Sequence, residues 1–283
     1  MRALGIDVGV TKGLDLVVLD DDLIPRQAWR RVGLGQLGGL IQDVSPDVVA
    51  IDSPPGWARS GRSRKAERDL RALGIQSFGT PTRRRATGNA FYTWMRRGFR
   101  AFRIAETRGY RRYGSGSPRR SAVEVFPHAT AVVLAGCLPP AGSDKRRWRT
   151  RVLRSRRVEV TALGSVDQVD AALAALTGLE AARGRATAVG DAAEGVIVLP
   201  ALELPSRPYR RCRRSASPDP QRRLPGMSPC TCGDPACSEM TAREFARGHD
   251  AKRKSALWKA ARAGHDAADE LRRRGWELPP EMR

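Results

Sequence analysis

The N-terminal part of the chain alternates short apolar segments with turn residues, and this pattern constrains the fold more than any other feature. ALGIDV, LDLVVLD and the weaker QAWRRV predict three strands within residues 2–32, because Gly9, Gly13 and Pro25 separate them. Residues 34–44 have helical spacing, and DVVAIDSPP then predicts a buried strand that ends at two prolines. The chain therefore begins as an α/β domain.

The remaining elements extend this domain to residue 204. Helical spacing predicts helices over 64–73, 93–109, 127–136, the basic segment KRRWRTRVLRSRR and SVDQVDAALAALTGLEAARG, while SAVEVFP and AAEGVIVLP predict strands. Ser165 can cap the last of these helices and Gly184 follows its end. Three antiparallel strands, a helix, parallel strands with helices and a closing helix are the order of an RNase H-like mixed sheet.

The composition changes after residue 204. Residues 205–229 are rich in Pro and Arg and lack an apolar period, which predicts a disordered basic linker. Residues 230–283 open with CTCGDPAC and continue into helical patterns, with a capping box at Thr241 and Glu244. We therefore expect an RNase H-like domain at 1–204, a linker, and a small C-terminal helical module.

Five acidic residues are candidates for a catalytic site. Asp7 and Asp52 end two predicted parallel strands, whose carboxyl ends face one crevice. Asp167 and Asp170 lie three residues apart and share one face of the closing helix. Glu124, on the SAVEVFP strand, is a candidate fifth member. Such a cluster predicts a catalytic Mg²⁺ or Mn²⁺ site that hydrolyses phosphodiester bonds by a two-metal mechanism.

Each of these acids also has a structural interpretation. Asp167 can complement the helix dipole and Asp170 can be solvated. Glu124 can face the side of the sheet opposite to its two valine neighbours. Asp7 and Asp52 are harder to explain in this way, since both follow apolar runs where an ionised group needs a partner.

The charge of the chain indicates a polyanionic partner. Lys and Arg number 51 against 30 Asp and Glu, which gives a formal net charge of +21. Residues 59–120 hold 18 of these cations and only 3 acids. Arg forms planar, bidentate contacts with phosphate, so we expect DNA or RNA as the partner. A GC-rich genome explains Arg in place of Lys but not the net charge.

Aromatic residues are interleaved with this basic region. They are Phe91, Tyr92, Trp94, Phe99, Phe102, Tyr110, Tyr113 and Trp148. Such spacing suits stacking on exposed bases. The favoured interpretation is simpler: Trp94, Phe99 and Phe102 form the buried face of helix 93–109, and the neighbouring arginines stay available for phosphate.

Five segments of residues 1–200 carry a family resemblance. They are GIDVG at 5–9, AIDSPPGW at 50–57, AERDLRALGI at 66–75, EVFPHA at 124–129, and DQVDAALAAL at 167–176 followed by EGVIVLP. Together they resemble the predicted-nuclease family called domain of unknown function four-twenty-nine. The two ends also resemble Holliday-junction resolvases. The resemblance implies an RNase H-like fold and nominates Asp7, Asp52, Asp167 and Asp170 as metal ligands.

Two other functions compete with a nuclease. Asp7-x-Gly9-x-Thr11 resembles the phosphate loop of sugar kinases and actin-like ATPases, in which turn amides bind phosphate. Those proteins need a second lobe with a second such loop, and the chain has none. The other competitor is a nucleic-acid-binding protein of the same fold that has no catalytic activity.

The C-terminal module contains a candidate zinc site. Cys230, Cys232, Cys237 and His249 supply three thiolates and an imidazole, the ligand set of a structural tetrahedral Zn²⁺. A module of this size has little core, so a metal would stabilise it. The alternative is three reduced surface thiols. Cys137 and Cys212 are expected to be unpaired, the first in the core and the second in the linker.

Sparse cysteine, the lack of a signal-peptide apolar segment and the lack of a run of roughly 20 apolar residues predict a soluble, cytoplasmic protein with no membrane partner.

Overall fold

An eight-stranded mixed sheet forms the centre of the computed structural model, which describes residues 1–9 and 13–212. The strands are β1 (Arg2–Val8), β2 (Leu14–Asp20), β3 (Pro25–Val32), β4 (Val48–Asp52), β5 (Arg111–Arg112), β6 (Ser121–Val125), β7 (Thr187–Asp191) and β8 (Gly195–Leu199). Their order across the sheet is β3-β2-β1-β4-β6-β8-β7, and β5 pairs with one end of β6. The strands β1, β4, β6 and β8 are parallel, while β2, β3 and β7 run antiparallel to their neighbours.

Seven α-helices surround the sheet in the part of the chain that the structure describes. They are α1 (Leu34–Val44), α2 (Lys65–Ala72), α3 (Arg83–Ala86), α4 (Thr93–Thr107), α5 (Pro127–Ala135), α6 (Lys145–Ser155) and α7 (Val166–Ala182). None of these helices has both the length and the apolar character needed to cross a membrane. The predicted α/β architecture of a mixed sheet with helices is confirmed.

Helix α7 lies directly on the central strands because small residues remove the side chains at the contact. A Cβ atom at Gly5 of β1 would lie 2.0 Å from the carbonyl oxygen of Ala171 in α7. The helix begins where the sequence predicts, since the Ser165 hydroxyl accepts a hydrogen bond from the Gln168 amide at 3.1 Å. Most of its residues are buried, so it is apolar on nearly every face. The start of α7 is thereby fixed beside β1.

Helix α4 covers the opposite face of the sheet at similarly close range. A Cβ atom at Gly98 would lie 1.7 Å from the Ser53 hydroxyl, so only glycine permits this approach to the loop after β4. Phe99 and Phe102 are buried in the contact, which confirms that they belong to the packing face of this helix, whereas Trp94 is half-buried. The exposed flank of α4 carries arginines.

Strand β7 and helix α3 are absent from the sequence prediction. The TAVGD segment of β7 is short, and its side chains are half-buried or exposed, so it lacks a readable apolar period. It pairs antiparallel with β8 at the edge of the sheet. Helix α3 has four residues, which is a single turn and too short for a periodic signal.

The predicted boundary at residue 204 is wrong, because residues 205–212 belong to the packed domain rather than to a disordered linker. The Tyr209 amide donates to the Leu73 carbonyl at 2.9 Å, and the Cys212 amide donates to the Leu138 carbonyl at 2.8 Å. Although this segment is rich in Pro and Arg, Tyr209 packs against the apolar core. The rest of the predicted linker lies outside the described residues.

A disulfide bond joins Cys137, which follows α5, to Cys212, with their Cα atoms 5.2 Å apart. The prediction that these two cysteines are unpaired is therefore wrong. Their separation of 75 residues in the chain gave no local signal of the pairing. The bond fastens the end of the domain to the loop between α5 and α6.

Candidate active site

Asp7 and Asp52 are direct neighbours at the carboxyl end of two parallel strands. The pairing register of β1 and β4 places Asp7 opposite Asp52. Side chains alternate along a strand, so Asp7 points to the same face as Gly5, which is the face covered by α7. Both carboxylates are half-buried. Neither has a hydrogen-bond or ion-pair partner among residues 1–9 and 13–212, and their convergence follows from the sheet register alone.

The first turns of α7 bring two more carboxylates to this edge. Asp167 lies in the first turn and Asp170 follows three residues later, on the same side of the helix. The close contact of Gly5 with Ala171 holds these turns beside the end of β1. The charges of Asp167 and Asp170 both act on the Asp7 carboxyl, so these two residues lie near the same end of the sheet as Asp7.

The electrostatics of Asp7 reflect this crowding. Burial raises the pKa of the Asp7 carboxyl to about 9, and the charges of Asp52, Asp170 and Asp167 act in the same direction. The Lys145 ammonium opposes them. A carboxyl group in this position takes a proton at neutral pH unless a cation replaces it.

Asp52 behaves in the same way. Burial raises its pKa to about 8, and the charge of Asp170 raises it further, while Arg149 and Lys145 lower it. Two adjacent carboxyls thus resist ionisation together.

Asp170 differs from its neighbours because it has cationic partners. The Lys145 ammonium lies 2.9 Å from one of its oxygens, and the Arg149 guanidinium pairs with the other. Only 3% of Asp170 is exposed, and the Arg149 side chain is buried with it, whereas the Lys145 side chain is 58% exposed. His128, at the start of α5, lies near the same charges. Burial, followed by Arg149 and Lys145, lowers its pKa to about 4, which keeps the imidazole neutral at pH 7.

Glu124 does not join the four aspartates. The register pairs Glu124 of β6 with Ile51 rather than with Asp52, so its side chain points to the opposite face of the sheet. There the Arg64 guanidinium donates two hydrogen bonds to it, at 2.6 and 2.8 Å. The prediction that Glu124 is a catalytic residue is therefore wrong on this geometry. Glu124 is buried and paired with Arg64, and it does not lie with Asp7 and Asp52.

Asp15 belongs to this region and escaped the sequence analysis. It lies opposite Asp7 in the β1–β2 pairing, and it is 6% exposed. Its carboxylate accepts a hydrogen bond from the Arg31 amide at 2.9 Å and one from the Ser165 hydroxyl at 3.3 Å. Asp15 thus ties Ser165, the N-cap of α7, to β2. The available signal was an acid inside the apolar run LDLVVLD, where a charge needs partners.

A divalent cation fits part of this arrangement. No three Asp, Glu, His or Cys side chains within residues 1–9 and 13–212 are grouped as a ready metal site. Asp7 and Asp52 nevertheless offer hard oxygen ligands, and neither forms an ion pair with a residue of 1–9 or 13–212. Asp170 can contribute only if it exchanges Lys145 and Arg149 for the metal. Cys230, Cys232, Cys237 and His249 lie outside the described residues, so the zinc site stays a prediction.

The comparisons with known proteins give a family but no activity. A comparison with curated proteins finds no match. The model of the family described as a protein of unknown function (DUF429) matches residues 5–194, a span that includes all five candidate acids. Because this match covers more than half of the chain, the protein belongs to the DUF429 family.

Proposed function

We propose that this protein is a metal-dependent nuclease with an RNase H-like domain. The observation that carries the proposal is the pairing of Asp7 with Asp52 at the carboxyl end of parallel strands, beneath the first turns of α7. The partial order β3-β2-β1-β4-β6, in which antiparallel strands lead into parallel ones, supports the fold assignment. The positive charge of the chain supports nucleic acid as the substrate.

The residues of the edge divide into two roles. Asp7, Asp52 and Asp167 would hold Mg²⁺ or Mn²⁺, and Asp170 would join them only by exchanging its cationic partners for the metal. A bound pair of such ions activates water and stabilises the leaving oxygen of a phosphodiester. Lys145 and Arg149 neutralise Asp170 and keep the α7 turn in place. Asp15 positions the same turn through Ser165.

Cleavage assays test this proposal. Purified protein with Mg²⁺ or Mn²⁺ is incubated with labelled single-stranded, duplex and branched DNA and with RNA. Asp7→Asn and Asp52→Asn should each reduce metal-dependent cleavage by orders of magnitude, as removing a group of a catalytic unit does. Asp43→Asn is the matched control, because Asp43 is exposed on α1 away from the edge. Cleavage that persists in EDTA or in both edge variants would reject the mechanism.

A binding protein without catalytic activity is the second candidate, and the ion pairs of Asp170 favour it. A carboxylate already neutralised by Lys145 and Arg149 has less need of a metal. In that case the wild-type protein binds nucleic acid and cleaves none of the substrates with either metal.

We also propose that residues 230–283 bind one structural Zn²⁺ through Cys230, Cys232, Cys237 and His249. The proposal rests on the ligand types in the sequence. Elemental analysis of the purified protein should give about one zinc per chain. Cys230→Ser and Cys237→Ser should lower that content, and a zinc-free wild-type protein would reject the site while leaving the nuclease proposal intact.

A further inference from the structure

A cavity of about 560 Å³ lies beside the loop that follows β4, and arginine dominates its lining. The five arginines around it are Arg83, Arg96, Arg100, Arg103 and Arg112. No acidic residue lines it. A pocket of this size encloses a ligand as large as a nucleotide.

The five arginines come from three different elements that meet at the cavity. Arg96, Arg100 and Arg103 are spaced four and three residues apart and therefore form one stripe along the exposed flank of α4. Arg83 comes from α3, and Arg112 comes from β5. The buried face of α4 is a separate stripe, so the arginine stripe is not a by-product of core packing.

Most of this charge is not neutralised by the protein itself. Arg83, Arg96, Arg100 and Arg103 have no carboxylate partner among residues 1–9 and 13–212. Arg112 does have one, since its guanidinium lies 3.2 Å from the Glu106 carboxylate. Concentrating unpaired guanidinium groups around one cavity is unfavourable without an anion, and phosphate matches their planar donors.

Aromatic side chains and the loop that follows β4 form the rest of the cavity lining. Trp57 packs edge-to-face against Phe99, with ring centroids 4.7 Å apart, and the Arg96 guanidinium lies 5.8 Å from its ring centroid. Only a few residues separate Asp52 from Trp57. Ser53 packs closely against α4, because Gly98 has no side chain at the contact. The cavity therefore adjoins the loop that follows Asp52 at the end of β4.

We infer that this arginine cavity is a subsite for a phosphate-bearing nucleotide of a single strand. The inference deepens the proposed function and rests on it for the identity of the ligand. Unpaired nucleotides can enter a cavity of this size, whereas a base inside a stacked duplex must first be extruded. The substrate class is therefore single-stranded DNA or RNA, or a single-stranded extension of a duplex.

Binding measurements test the subsite separately from catalysis. Fluorescence anisotropy is recorded in EDTA with labelled oligothymidylate, oligouridylate and a blunt DNA duplex. Arg100→Ala/Arg103→Ala removes two cavity charges, and Arg151→Ala/Arg207→Ala removes two exposed charges elsewhere. The cavity variant should bind the single strands about 10- to 100-fold more weakly, as expected for two lost charge-assisted contacts. In a plot of log affinity against log salt concentration, the cavity variant should have a slope about 1.4 less steep than the wild-type protein.

The control variant should retain most single-strand affinity, and the loss in the cavity variant should be smaller for the blunt duplex. The subsite is overturned if both double variants bind the single strands alike, or if the cavity variant loses duplex and single-strand affinity equally. Cleavage does not enter this comparison. A protein that cleaves nothing but shows the cavity-specific loss has the subsite without the nuclease activity.

Discussion

Two groups of carboxylates on opposite faces of the same sheet differ in how they are neutralised. On one face, Glu124 of β6 and Glu67 of α2 share the guanidinium of Arg64, which is fully buried. Every nitrogen of that guanidinium donates to one of the two carboxylates. On the other face, Asp7 and Asp52 adjoin each other, and neither forms an ion pair with any residue of 1–9 or 13–212.

The difference lies in whether a buried acid has a cationic partner within residues 1–9 and 13–212. Arg64 and the hydroxyl of Thr80 satisfy Glu67 and Glu124, so that group holds α2 and its preceding loop to the sheet. The charge of Asp52 raises the pKa of Asp7, and two ionised carboxylates this close repel each other.

The largest expected effect comes from breaking the satisfied group. Arg64→Ala leaves Glu67 and Glu124 buried without a cation, so the free energy of unfolding should fall by about 3–5 kcal/mol. Urea denaturation followed by circular dichroism measures this loss. Arg62→Ala is the control, because Arg62 is exposed in the same loop and should change stability by less than about 0.5 kcal/mol. Equal losses in the two variants would contradict a structural role for the Arg64 group.

The second prediction concerns the binding of a divalent metal by Asp7 and Asp52. At a concentration about 100 times its dissociation constant, Mn²⁺ should stabilise the wild-type protein by about 2.7 kcal/mol, since it binds the folded state. Thermal unfolding with and without Mn²⁺ gives the shift. Asp7→Asn/Asp52→Asn should abolish it and Asp43→Asn should retain it. An undiminished shift in the double variant would place the bound metal elsewhere.

The same contrast explains how much could be predicted from sequence. Asp7 and Asp52 were predictable, because each ends an apolar strand and parallel strands expose one common edge. Glu124 points to the opposite face because it pairs with Ile51 and not with Asp52. A shift of one residue in the pairing of β4 and β6 would reverse this, and the apolar composition of the strands does not encode the register. Arg64 was not identified, since a lone arginine before a helix has no pattern that distinguishes it from its exposed neighbours.

The third prediction compares one residue from each group. Asp52→Asn removes an ionisable group that lacks a partner, so the metal-free protein should gain about 1–3 kcal/mol of stability at pH 8. Glu124→Gln removes a charge that Arg64 needs, and the protein should lose stability by a similar amount. Parallel urea titrations in EDTA give both values. If both substitutions changed the free energy of unfolding in the same direction, Asp52 and Glu124 would not differ in how well their charges are compensated.

The smallest effect is a dependence of stability on pH in EDTA. Asp7 and Asp52 have folded pKa values of about 9 and about 8, above the ordinary aspartate value, so the native state holds protons that the unfolded chain releases. Stability from this source is present at low pH and is lost as pH rises through 8 and 9. Between pH 7 and 8.5 the free energy of unfolding should fall by about 0.5 kcal/mol per pH unit. This slope is well below the one expected when the native state holds one proton more than the unfolded state.

This pH range isolates the edge from the other shifted groups. Burial raises the Glu124 pKa only to about 7, and burial lowers the His128 pKa to about 4, so His128 acts in the opposite direction and at lower pH. Asp7→Asn/Asp52→Asn should therefore flatten the profile above pH 7, whereas His128→Gln should leave that part unchanged. Stability that rises with pH across this range in the wild-type protein would mean that both aspartates ionise freely, and the edge would then lack the mutual repulsion that calls for a cation.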